Sequence, residues 1–108
     1  MLTFNPYQKI TPFRSKEYRE FIRTVPPIVQ GHGDVVPHHE GYYQGSTGSK
    51  ASDIFTVSLP ESLHTRSNDS IHALGWKEFE RVHNVDLMWH CLRNIEAFLS
   101  HGGILKGR

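Results

Sequence analysis

The chain has 108 residues, 37% of them hydrophobic and 21% charged, and a net charge of +1 with its eight histidines neutral. That size and balance fit one small folded domain and exclude a disordered tail. The near-neutral charge excludes a strongly basic, salt-driven nucleic-acid binder, although Lys16, Arg19, Arg23, Lys50 and Arg66 could still cluster in the fold.

A single cysteine, Cys91, excludes an intramolecular disulfide framework and any structural zinc site built from several thiolates. Its place in an apolar helical pattern predicts a buried, inert thiol. The first residues lack a basic segment followed by an apolar run, so no secretory leader is expected. No apolar stretch approaches membrane-spanning length, and a cytoplasmic, soluble location is expected.

Residues 1–14 carry Pro6 and Pro12 and read as an arm. Ser15 then caps a helix expected over 16–25, with Tyr18, Phe21, Ile22 and Val25 on one apolar face and Pro26-Pro27 stopping it. Ile28-Val29 and Val35-Val36 flank Gly31-His32-Gly33-Asp34 and predict a small hairpin. The stretch 40–52 is Gly- and Ser-rich and reads as a surface loop. Ile54-Phe55-Thr56-Val57 predicts a short strand. Pro60–Thr65 suits a helical turn carrying His64. Ser67-Asn68-Asp69 is a break and a cap for a helix over 70–83 with His72 in its first turn. Asn84 is expected to cap a last helix over 85–100, where Leu87, Cys91, Ile95 and Phe98 have helical spacing and Gly102-Gly103 close the end.

The candidate chemistry lies in the histidines. His38 and His39 are adjacent, and side chains alternate along a strand, so one can face a metal and the other a substrate. If the break at Ser67–Asp69 turns the chain back, His64 and His72 can face the same ion. Three imidazoles around one ion leave room for water or substrate. Histidine also suits proton transfer near neutral pH. The remaining histidines, His32, His83, His90 and His101, read as structural or surface groups. Trp76 and Trp89 read as packing residues, and Tyr42-Tyr43 could either touch nucleic acid or cover the core's edge.

The order of these words resembles the phage and prophage branch of the HNH, or ββα-metal (His-Me finger), endonucleases. Arg14-Ser15-Lys16-Glu17-Tyr18-Arg19-Glu20-Phe21-Ile22-Arg23, then Pro26, then His38-His39 carry the resemblance. Gly41, Gly45, Gly48, Lys50, Asp53, Phe55-Thr56-Val57, His64, His72-Ala73-Leu74-Gly75 and Phe79-Glu80 continue it. It covers about residues 14–86.

The resemblance implies an α+β fold: a small ββα-metal core with a short β-hairpin, flanked by an N-terminal helix and C-terminal helices. One domain would span 1–108, with an arm at 1–14, the core over 15–84 and the last helix at 85–100. It implies a metal-dependent DNA endonuclease, phage- or prophage-encoded, working in recombination, repair or packaging in a bacterial cytoplasm. His39 would be the general base and His38, His64 and His72 the ligands of one divalent ion. Magnesium, manganese, zinc or nickel could serve, the all-imidazole shell suiting magnesium least. Asp53 stands near the family's middle Asn and would orient His39, and Asp53 or Asp69 could fix an imidazole tautomer. Lys50 and Arg66 are candidates for phosphate contacts. DNA is the implied partner, a homodimer is one possible assembly, and no membrane is involved.

The chain departs from the family twice. Pro27, Gln30 and Pro60 stand about where members often carry structural zinc cysteines, so structural zinc is excluded, and packing by Tyr18, Phe21 and the C-terminal helices must replace it. His64 and His72 are eight residues apart, where the family commonly has about one helical turn, which predicts an inserted turn. A catalytically degenerate HNH-like module that binds DNA or a protein is the alternative. A metal-dependent hydrolase of another ester is a third.

Overall fold

Ser15 opens the first helix as expected: its hydroxyl accepts a hydrogen bond from the Tyr18 amide at the start of α1 (Lys16–Ile22). The computed structural model describes residues 13–39 and 52–103. α1 stops short of the expected 25. Pro26 disfavours helical geometry at Val25, and the chain leaves in a tightened turn, Thr24 and Val25 donating to the carbonyls of Phe21 and Ile22. Replacing Ser15 with alanine removes the cap bond and is expected to lower stability by about 1 kcal/mol in urea denaturation.

The expected hairpin between 28–29 and 35–36 does not form. Val35 and Val36 instead belong to β1 (Val35–His39), which pairs antiparallel with β2 (Thr56–Pro60). A run of two β-branched residues is too short to hold a ladder, whereas β2 offers five paired, fully buried positions. Ile28 contributes one amide, to the Ser58 carbonyl. The second strand lies slightly later than expected from its composition, because Phe55 closes a turn onto the Ser52 carbonyl. Gly33, at a φ of 91°, lets the chain turn into β1 close against Glu61.

The register sorts the histidines. His38 lies opposite Val57 and His39 opposite Thr56. Opposed residues share a face, so His38 is on the side of Val57 and Leu59 and His39 is on the other.

After β2 come a π-helical turn (Ser62–Arg66), α2 (Ile71–Leu74), α3 (Trp76–His83) and α4 (Leu87–Ser100). The helix expected over 70–83 is two helices, divided at Gly75, whose φ of 82° interrupts the helical path. Ser70, one residue past the expected break, caps α2 through the Ala73 amide. Asn84 is not a cap for the last helix. It ends α3 in the left-handed conformation at φ 54°, and Asp86 caps α4 by accepting from the Trp89 amide.

Val57, Leu59, Leu63, Ile71, Phe79, Leu87 and Cys91 form one core cluster, so Cys91 is buried as expected. A second cluster joins Tyr18 and Ile22 to Phe98, with Phe21 and Ile95 packed against it. Tyr18 and Phe21 thus dock α1 onto α4, as expected of a chain without zinc cysteines. Asn94, buried in α4, donates to the Thr56 carbonyl and fixes that helix to β2. The packing role expected of Trp89 is not found: the residue is 53% exposed. The described residues form an α+β fold of four helices and one antiparallel strand pair, and no helix among them is long and apolar enough to cross a membrane.

Candidate metal centre

Three histidines from three elements meet on the Val57 side of β1. His38 comes from the strand and is 8% exposed. His64 comes from the π-helical turn and His72 from the first turn of α2. One ring nitrogen from each can be chosen so that all lie within 4.8 Å of one another. His64 Nε2 and His72 Nε2 are 3.1 Å apart, and the His38 ring stands edge-on to both, at centroid distances of 5.2 and 5.4 Å.

The eight-residue spacing is accommodated by the turn that the sequence predicts at Ser67–Asp69. Ser67 donates its amide to the Ser62 carbonyl, and the Ser70 amide bonds the Ser67 carbonyl. The intervening residues loop outward, and His64 and His72 return to the same point.

These residues fit a divalent ion. Two nitrogens each about 2.0–2.1 Å from a tetrahedral ion stand roughly 3.3 Å apart, near the His64–His72 separation. The same separation serves an N–H···N hydrogen bond when no ion is bound. Burial, then the neighbouring His38 and His72, lower the pKa of His64 to about 4. His64 is therefore neutral at pH 7, the form that ligates. Three imidazoles provide only nitrogen donors, a set that favours zinc, nickel or manganese over magnesium.

His39 belongs to a different network on the opposite face. Its Nε2 is 2.7 Å from Asp53 Oδ1. Asp53 Oδ2 accepts from the Ser15 amide and from Arg19 Nη1, both at 2.6 Å, and Arg14 Nη1 lies 3.7 Å from Oδ1. The Asp53 side chain is buried. Burial alone would raise its pKa, but the Ser15 amide, His39 and Arg19 outweigh it and hold Asp53 below the ordinary carboxylate range. Ionised, it only accepts hydrogen bonds, so it fixes a proton on His39 Nε2, and in the neutral form of that ring the lone pair lies on Nδ1.

Asp53 thus meets His39, as the sequence suggests, and Arg19 is the partner that sequence reasoning misses. No local pattern signals it: Arg19 lies one helical turn after Ser15, but the Asp53 they share is far away in sequence. Asp69 does not support an imidazole of the cluster. It accepts from Ser67 Oγ, and its backbone carbonyl lies 2.9 Å from His83 Nε2, which gives His83 the structural role expected. Arg66 is exposed and ion-paired with Glu61. Lys50 and Tyr42-Tyr43 lie outside the described residues.

No curated protein and no solved structure matches the chain. The sequence pattern of the family described as "Protein of unknown function (DUF968)" matches residues 3–102, nearly the whole length. This protein, with its three-histidine cluster and its separate Asp53–His39 pair, belongs to the DUF968 family.

Proposed function

We propose that this chain is a metal-dependent endonuclease of the HNH type that hydrolyses DNA phosphodiester bonds. The observation that carries the reading is the convergence of His38, His64 and His72 beside a strand whose next residue, His39, is paired with an ionised carboxylate. A divalent ion bound there would stabilise negative charge on the phosphate and on the leaving 3′ oxygen. His39 acts as general base: Nδ1 takes a proton from water as its oxygen attacks phosphorus, and Asp53 stabilises the resulting imidazolium through Nε2. Asp53 is a positioning residue, fixed in turn by Ser15 and Arg19. Arg66 contacts backbone phosphate, which can displace Glu61 from an exposed and therefore weak ion pair. Lys50, which lies between β1 and β2 in the sequence, has the same proposed role.

One observation favours a second reading, a non-catalytic module of the same type. His39 lies across the strand from His38, and the Asp53 network that holds it also ties α1 to the loop before β2. Incubation of the full chain with plasmid DNA and manganese, zinc or nickel separates the two. Nicking that stops on adding a chelator and returns on adding metal is expected of the nuclease. Metal uptake without cleavage of plasmid or of a small phosphodiester identifies the module, and cleavage of the small ester alone identifies a different phosphodiesterase.

A further inference from the structure

α4 is apolar over more of its circumference than the core uses. Leu87, Cys91, Asn94 and Phe98 form its buried face. Leu92 and Leu99 are 58% and 48% exposed, and with the exposed Trp89 they lie away from that face. At about 100° per residue, Trp89, Leu92, Glu96 and Leu99 fall in one stripe about 80° wide, opposite the buried face. Arg93 borders this stripe. Its guanidinium lies over the Trp89 ring, 5.5 Å from the centroid, and bonds Glu96 at 2.6 Å.

We propose that a second copy of this chain covers the stripe, the two α4 helices crossing antiparallel about a twofold axis. Such an axis sets each side of the stripe against the same side of the copy. Trp89, Arg93 and Glu96 occupy one side, and Leu92 and Leu99 the other. A crossing centred near Ile95 brings Arg93 to Glu96 of the second copy and Leu92 to Leu99 of the second copy, each contact made twice. A stripe bordered by one sign of charge would select a partner of the opposite sign. This one carries a cation and an anion on the same side and complements itself. The stripe alone is smaller than the about 800 Å² per copy of a standard interface, so the dimer is weak and depends on concentration.

Sedimentation velocity of the full chain across a wide concentration range tests this. The expected result is a monomer–dimer equilibrium. Leu92→Glu places two charges in the contact and weakens association on the order of 100-fold, with helix content unchanged by circular dichroism. Arg93→Glu also weakens it, and adding Glu96→Arg restores it. A wild-type chain that stays monomeric overturns the proposal and leaves the face to another protein or to residues 1–12. A dimer indifferent to Leu92→Glu overturns it too. The measurement reads mass and not cleavage, so its outcome is independent of the nuclease reading.

Discussion

His38→Ala is expected to lower divalent-metal affinity more than about 100-fold in calorimetric titration with zinc or nickel and, for the proposed nuclease, to reduce DNA cleavage to the level seen with chelator. Removal of a group that only supports a ligand costs about 10–100-fold. Loss of one ligand among three exceeds that, because two imidazoles cannot enclose the ion. His64→Ala and His72→Ala are expected to have the same effect, since each of the three supplies one nitrogen to the cluster and no described acidic group joins them. His38 is the most buried of the three, so a thermal melt of the metal-free variant separates lost binding from lost folding. Protons compete with the ion for imidazole nitrogen, so wild-type affinity also falls in acid, down through the lowered pKa of His64 at about 4. If His38→Ala binds zinc as tightly as wild type, the centre is elsewhere. A wild-type chain that takes up no metal makes the cluster a packed group of imidazoles, two of them hydrogen-bonded.

The sequence was most legible where short-range chemistry decides. Ser15 was readable as a cap, and the alternation of side chains along a strand correctly separated His38 from His39. The break at Ser67–Asp69 was readable from turn residues, and it is what returns His72 to His64. Pairing was not readable. Val35-Val36 could be matched locally with Ile28-Val29, but the partner that wins lies about twenty residues further on, because β2 is buried on both faces. The division of one expected helix into α2 and α3 rests on the backbone angle of Gly75, which composition alone does not fix. The link from Arg19 to Asp53 spans 34 positions in sequence. It exists only because α1 docks through Tyr18 and Ile22 onto Phe98, a contact no local pattern encodes. Trp89 shows the converse case: helical spacing assigns a face, but the depth of the neighbouring layer decides whether that face is covered.

For the proposed nuclease, Asp53→Asn is expected to lower the cleavage rate by about 10²–10⁴-fold, approaching the rate of His39→Ala, while leaving metal affinity unchanged. Amide and carboxylate have nearly the same shape, so the change falls on charge and hydrogen-bond direction. A carboxylate holds the His39 proton on Nε2. An amide can present its NH₂ to that nitrogen and move the proton to Nδ1, the atom that must accept one from water. A comparable carboxylate-to-amide change beside a catalytic histidine costs about 10⁴-fold. The nitrogen-15 shifts of the His39 ring distinguish the two tautomers whether or not DNA is cut. The same substitution removes the anion shared by Ser15, Arg19 and His39, and it is expected to lower stability by roughly 2–3 kcal/mol at pH 7, since Arg19 can turn partly to solvent. That difference narrows in acid. Asp53 has a lower pKa folded than unfolded, so its contribution is complete above the unfolded value of about 3.9 and is lost as pH falls through the folded value. Denaturation at pH 7 and pH 3 measures the narrowing. Wild-type rates in Asp53→Asn, with His39→Ala inactive, would leave His39 as a base that needs no orientation. An inactive variant whose His39 tautomer is unchanged would place the effect of Asp53 on the docking of α1 instead of on the ring.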